Sequence, residues 1–225
     1  MRISDLGHTA VVGLQWGDEG KGKAVDVLME HFDVVARYAG GANAGHTIVV
    51  NGEKFALHQI PSGIIRENIQ CVLACGMVID PAVLLTEIRN LEQRGISAEG
   101  RLWISSRSHL VFPWHRREDM LAEKVAAPET KLGTTSRGIG PCYADKVGRR
   151  NSIRVGDLLH PDRFRERVAN VAAHKNAYFT SLFEERELID PIAVADEYLA
   201  FAEQLRPYVT DTLHWLHTAM NDGKR

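Results

Sequence analysis

The sequence predicts an α/β fold: a mostly parallel sheet with a P-loop-like βα phosphate loop and a helical C-terminal segment. Three observations predict it. The first forty residues read as strand, glycine turn, helix, strand, the βαβ order of an open parallel sheet. Further short apolar runs then alternate with helical patterns, and beyond Pro161 the periodicity is helical throughout. Hydrophobic residues make up 44 % and charged residues 25 % of the 225, ordinary for a chain that folds around a core. That composition excludes a disordered, collagen-like or disulfide-framed protein.

The first apolar run, Thr9-Ala-Val-Val-Gly-Leu-Gln15, is short, rich in valine and leucine, and reads as a buried strand. After the glycine turn, Val25, Leu28, Met29 and Phe32 share one helical face. Asp33-Val-Val-Ala-Arg-Tyr38 reads as a second buried strand. Residues 47–50 and 53–58 flank Asn51-Gly52, whose tolerance of positive φ predicts a hairpin with a type I′ turn. Gln70-Cys-Val-Leu-Ala-Cys-Gly76 reads as a central strand. A helix follows, with Asp80 as N-cap, Pro81 at its first position, Leu84, Ile88 and Leu91 on one face, and Gly95 closing it. Arg101-Leu-Trp-Ile-Ser105 predicts another strand. Helices are expected at residues 163–183, 191–205 and 209–221, within a helical segment spanning 161–222.

The net charge is −2, so no overall field draws the chain to nucleic acid or an anionic membrane. The average hides a local excess. In the loop region 131–157, Lys131, Arg137, Lys146, Arg149, Arg150 and Arg154 are basic. Without interleaved aromatics, this stretch suits nucleotide phosphates better than RNA. Cys71, Cys75 and Cys142 form no C-x-x-C pair, which suits a reducing compartment and packed free thiols. No run approaches a membrane span and the N-terminus lacks a signal-peptide core, so a cytoplasmic location is expected. His214 and His217, three apart on a surface helix, read as solvated, and the four tryptophans read as core.

The densest chemical signal is Gly17-Asp-Glu-Gly-Lys-Gly-Lys23. Its glycines let backbone approach a ligand, and the following helix N-terminus offers free N–H groups to phosphate. The spacing fits a P-loop until Ala24, which stands where Ser or Thr would hold Mg²⁺. Carboxylates inside the loop, Asp18 and Glu19, make sense as a metal ligand or a proton acceptor. A second cluster, Gly40-Gly-Ala-Asn-Ala-Gly-His-Thr47, follows the second strand and so lies at the same carboxyl edge. Asn43 can donate and accept, and His46 can act as an acid near neutral pH.

With His58-Gln-Ile-Pro-Ser-Gly63, Gly133-Thr-Thr-Ser-Arg-Gly-Ile-Gly-Pro141, Asp145-Lys-Val-Gly-Arg-Arg150 and Arg154-Val-Gly-Asp157, these ordered motifs closely resemble the adenylosuccinate synthetase family. The resemblance runs from about Thr9 to the end of the chain. It implies GTP-dependent joining of L-aspartate to IMP through 6-phosphoryl-IMP, with Mg²⁺ and a homodimer. It implies Asp18 as base and Mg²⁺ ligand, His46 as acid, and the Gly45 carbonyl as a second metal ligand. Gly17, Asp18, Glu19, Gly20, Lys21, Gly22, Lys23, Gly45, His46 and Thr47 would hold GTP. IMP would meet Asp18, Glu19, Gly20, Lys21, Asn43, Ala44, Gly45, His46 and Thr135, with Arg149 reaching it across the dimer interface. Ser136 departs from the family pattern, which leads to an expectation of glycine or a polar residue there.

The resemblance also implies a longer chain, continuing into a strand and an aspartate- and guanine-recognising part, so the sheet is expected to be incomplete. Residues 1–225 read as the N-terminal part of a single α/β synthetase domain, with nucleotide loops at 15–47. Two functions compete: a synthetase of which this is a portion, inactive alone, and a nucleotide-phosphate-binding module without turnover. A generic P-loop NTPase is disfavoured by Ala24 and by the lack of an Asn-Lys-x-Asp-type guanine reader.

Overall fold

The computed structural model describes residues 5–15, 19–50 and 52–225. Its main sheet has four strands, β1 (Val34–Arg37), β4 (Gln70–Leu73), β6 (Leu102–Ser105) and β8 (Val209–Thr210), in that spatial order. All its pairings are parallel, and the sheet is small and open. An antiparallel hairpin of β2 (His46–Val50) and β3 (Glu53–Leu57) projects from it. A parallel pair of β5 (Val78–Ile79) and β7 (His109–Leu110) continues the β4 and β6 side. Seven helices surround these strands among the described residues: α1 (Lys21–Leu28), α2 (Pro81–Glu92), α3 (Pro113–Val125), α4 (Ile139–Gly148), α5 (Pro161–Phe183), α6 (Pro191–Leu205) and α7 (Thr212–Asn221).

Local chemistry explains the expected elements. In β4, Cys71, Val72 and Leu73 are fully buried, as a central strand covered on both faces requires. In α2 the Asp80 carboxylate accepts from the Val83 N–H at 3.3 Å and Pro81 occupies the first turn. Leu84, Ile88 and Leu91 are buried, and Gly95 takes φ +76° just beyond the helix. The rings of Trp114 and Tyr198 both stack on Phe112, each with centroids 4.2 Å apart, joining α3 to α6.

Three expectations need correction. Residues 9–15 form no strand, and with it goes the strand entering the phosphate loop: Val12 and Leu14 are exposed, and a strand is only as stable as the neighbour it pairs with. The first helix stops at Leu28, a 3₁₀ turn takes Met29–His31, and Phe32 is extended; of the expected face only Met29 is buried. Helix is not continuous after Pro161, because Val209 and Thr210 pair with Ile104 and Ser105 as β8 and α7 starts at Thr212, capped by Asp211. The hairpin forms as expected, with Gly52 at φ +84°; Asn51 lies outside the described residues.

Cys71 and Cys142 pack as buried thiols, whereas Cys75 is half-buried in the turn after β4. Trp114 is buried; Trp103 and Trp215 are half-buried and pair at 5.6 Å; Trp16 lies outside the described residues. His214 and His217 are exposed on α7. No helix among the described residues is long and apolar enough to cross a membrane.

Candidate active site

The candidate site gathers at the carboxyl end of β1. Gly17 and Asp18 lie outside the described residues; the rest of the loop is in view. Glu19 pairs with Lys21 and accepts from the Gln15 N–H at 3.0 Å. Gly20 takes φ +80° as it enters α1, a conformation glycine favours. The first turn of α1 therefore opens at Lys21, with Gly22 and Lys23 on it.

Twenty-four residues further on, the second loop brings His46 against that turn: a Cβ built on Gly22 would run into the His46 ring at Cε1 and Nδ1. The opposite ring nitrogen, Nε2, lies 2.8 Å from Asp26 Oδ2. Asp26 Oδ1 accepts from the Ser62 hydroxyl. The histidine is thus pinned between the glycine loop and a carboxylate that is itself held. Asp26 and Ser62 were missed by sequence reading, although Ser62 belongs to the His58–Gly63 motif. Asn43, Ala44, Gly45 and Thr47 are exposed around His46.

A half-buried cation and a buried anion shape the floor of the loop. The Arg37 guanidinium donates to the carbonyls of His58, of Gln59 at 3.2 Å and of Gly41 at 2.9 Å. The Glu87 carboxylate accepts from the N–H groups of His58 at 2.8 Å, Gln59 at 3.1 Å and Ile60 at 3.0 Å. Burial pushes the Glu87 carboxyl above its usual range, and these N–H donors oppose the rise. Burial also lowers Arg37, with Glu87 opposing. A cation on the carbonyls and an anion on the N–H groups fix the segment that carries Ser62.

The basic region 131–157 joins the same place through α4. The Tyr143 hydroxyl accepts from the Gly40 N–H at 2.7 Å and donates to the Gly76 carbonyl at 2.8 Å. Lys146 Nζ donates to the Cys75 and Gly76 carbonyls at 3.0 and 3.1 Å. Gly41 lets α4 approach, since a Cβ there would stand 2.7 Å from Ile139 Cδ1. The loop ahead of α4 is tethered to α3: Leu132 and Gly133 donate to Glu123 at 3.0 and 3.2 Å, and Gly138 donates to Asp119 at 3.0 Å. Thr135 is exposed on this loop. Ser136 takes φ +52°, where glycine is favoured, which accounts for the expectation of glycine there. Arg149 is exposed at the far end of α4 and bonds through its backbone, its N–H to the Asp145 carbonyl at 2.8 Å and its carbonyl to the Ser152 hydroxyl at 3.0 Å.

A family model described as adenylosuccinate synthetase matches residues 10–225. The chain belongs to the adenylosuccinate synthetase family. The adenylosuccinate synthetase of Koribacter versatilis (strain Ellin345) is 48 % identical over 219 residues, 97 % of this chain and 49 % of the relative. That of Dictyostelium discoideum is 47 % identical over 218 residues, 96 % of this chain and 50 % of its own length. The fully ligated adenylosuccinate synthetase of Plasmodium falciparum superposes with a TM-score of 0.80 at 36 % identity, covering 94 % of this chain and 48 % of that one. The chain thus spans about half the length of the curated relatives it matches. The family's α/β fold and its mostly parallel sheet are those seen here.

No cluster of three or more His, Cys, Asp or Glu side chains among the described residues could hold a metal ion. Glu19 is engaged by Lys21, and Asp26 by His46 and Ser62. The exposed backbone of Gly45 remains as a hard oxygen donor. A backbone carbonyl is the kind of hard oxygen donor that Mg²⁺ takes, and Mg²⁺ keeps several waters and is bound largely through substrate phosphates.

Proposed function

We propose that residues 1–225 form the N-terminal part of a single α/β synthetase domain that joins L-aspartate to IMP with GTP as the energy donor. The observation that carries this reading is His46, held by Asp26 against the first turn of the glycine loop's helix. In this reading Asp18 takes the N1 proton of IMP, which makes the 6-oxygen nucleophilic toward the γ-phosphate of GTP. His46 donates to the phosphates as the bond to departing GDP breaks. The glycine loop, with Lys21 and Lys23, cradles phosphate, and Glu19, Gly20, Asn43, Ala44 and Thr135 line the IMP side. When bound, Mg²⁺ neutralises phosphate charge, and the Asp18 carboxylate and Gly45 carbonyl would hold it. Arg149 acts on the IMP of a partner subunit in a homodimer, and the protein works in the cytoplasm.

The half-length match favours a second reading, in which this stretch alone binds nucleotide phosphate without turnover. Assay of the 225-residue chain and of a family-length version with IMP, aspartate, GTP and Mg²⁺ tests both. The expected result is adenylosuccinate from the longer protein only, lost in its Asp18→Asn form while nucleotide binding persists. Unchanged kcat in Asp18→Asn would remove Asp18 as base, and GTP-dependent product from the short chain would refute its inactivity.

A further inference from the structure

Arg149 stands in a conformation that needs holding. It ends α4 with φ +65° and ψ −32°, backbone that residues other than glycine seldom take. Such a residue persists only where its surroundings fix it. Both of its peptide groups are engaged. The Arg149 N–H donates to the Asp145 carbonyl at 2.8 Å, and the Arg149 carbonyl accepts from the Ser152 hydroxyl at 3.0 Å.

Each of those partners is held in turn by a cation on α5. The buried Lys175 ammonium lies 3.0 Å from Asp145 Oδ2 and donates to Oδ1 at 3.2 Å. It also donates to Glu118 Oε2 on α3 at 2.7 Å. Burial works against the charge on Lys175, but its bond to Glu118 and the charge of Asp145 outweigh burial and raise it. The same Asp145 carboxylate has His115 Nε2 at 3.0 Å. About two turns earlier on α5, the Arg167 guanidinium donates to the Ser152 carbonyl. Lys146 grips the last turn of α4 toward the sheet, on the carbonyls of Cys75 and Gly76, while Val147 and Gly148 are exposed. The helix α5 is itself fixed by Phe164, Val168, Val171 and Phe179 in the core, so it supplies a rigid reference for the Arg149 turn.

We propose that Lys175 and Arg167 are positioning residues that set Arg149 from α5, one through Asp145 to its N–H and the other through Ser152 to its carbonyl. The inference rests on the reading of Arg149 as the residue that reaches the IMP of a partner subunit. An exposed side chain at a helix end takes its direction from the backbone that carries it. Reaching a ligand held by another subunit leaves little tolerance for a misplaced root. Two buttresses on one helix, acting on the two sides of a single residue, hold both the place and the direction of that root.

The test is steady-state kinetics on the family-length version. Lys175→Met and Arg167→Met are each expected to raise KM for IMP about tenfold while kcat and KM for GTP stay within about twofold. Glu118→Gln removes a charge from the same cluster but leaves the Lys175–Asp145 link, and should keep the parental KM for IMP. Arg149→Ala should itself raise KM for IMP. Adding either α5 variant to it should change nothing further, since residues that act through one another are not additive. Additive effects, or a KM for GTP that moves with that for IMP, would mark general loosening and overturn the proposal. Parental KM for IMP in both α5 variants, against a raised value in Arg149→Ala, overturns the positioning role alone. A parental value in Arg149→Ala overturns the reading of Arg149, and the proposal with it. Lys175→Met leaves two carboxylates without their shared cation; if that chain does not fold, Arg167→Met, at a half-buried position, carries the same test.

Discussion

His46 and Asp26 share a hydrogen bond of 2.8 Å between Nε2 and Oδ2, and this pair decides which edge of the imidazole meets the glycine loop. With Nε2 committed to the carboxylate, the Nδ1 and Cε1 edge faces Gly22 on the first turn of α1. Ser62 holds the other oxygen of Asp26, so the carboxylate cannot swing away without losing a second partner. Asp26→Asn should shift the ring's tautomer balance, read from ¹⁵N chemical shifts of His46. Asp26→Ala should cost about 1–3 kcal/mol, since it strands a hydroxyl and an imidazole N–H. Unchanged His46 shifts in both variants would sever the link.

Gly22→Ala separates helix propensity from ring contact. Alanine within α1 stabilises the helix by about 1 kcal/mol over glycine. Here its Cβ meets the His46 ring, so the ring must move or the helix must. The expected outcome is a lower melting temperature together with perturbed His46 resonances. A variant more stable than the parent, with His46 undisturbed, would show that the contact yields freely.

Acid stability should depend on His109. This buried side chain on β7 is lowered from about 6.5 to about 4, by burial first and then by Lys146, Arg154 and Arg167, with Asp157 opposing. The folded protein thus keeps the ring neutral while the unfolded chain takes up a proton. Its stability contribution is complete above the unfolded value and is lost as pH falls from about 6.5 toward 4, at up to about 1.4 kcal/mol per pH unit. Burial lowers His115 in the same direction, with Asp145 opposing, so some slope should survive without His109. Urea midpoints measured across this range should fall less steeply for His109→Gln.

Thiol reactivity should single out one cysteine. Burial pushes the Cys71 thiol up to about 12 and raises Cys142 further, so neither offers thiolate at neutral pH. Cys75 is half-buried in the turn after β4. Iodoacetamide under native conditions should modify Cys75 first, and the other two only after denaturation. Mass mapping showing early label at Cys71 would contradict the packed strand.

What the sequence made legible was local. Asp80 and Pro81 announce α2 within three residues, and Asn51-Gly52 announces the hairpin, because caps and turns are decided by neighbours in the chain. The 9–15 run looks like a strand by composition, but pairing depends on a strand that composition cannot supply. Two residues, Val209 and Thr210, are too few to interrupt a helical pattern visibly, yet Ser105 and Ile104 draw them into the sheet. Within the site, His46 stands out by motif, whereas Asp26 looks like one more polar helix residue until β2 returns beside it. Tyr143 likewise gains its role only from the distant Gly40 and Gly76.

The Tyr143 tie spans 103 residues from Gly40, and it carries a consequence for the order of events during synthesis. Closing so long a loop is entropically costly, while the hairpin and α2 close over short ones. As the chain leaves the ribosome, β1, β4 and β6 can assemble before α4 exists. The glycine loop at residues 40–41 takes its final shape only once Tyr143 emerges and docks. This glycine loop is therefore a late-maturing feature of the nascent chain, built onto three strands of a sheet that β8 completes later still.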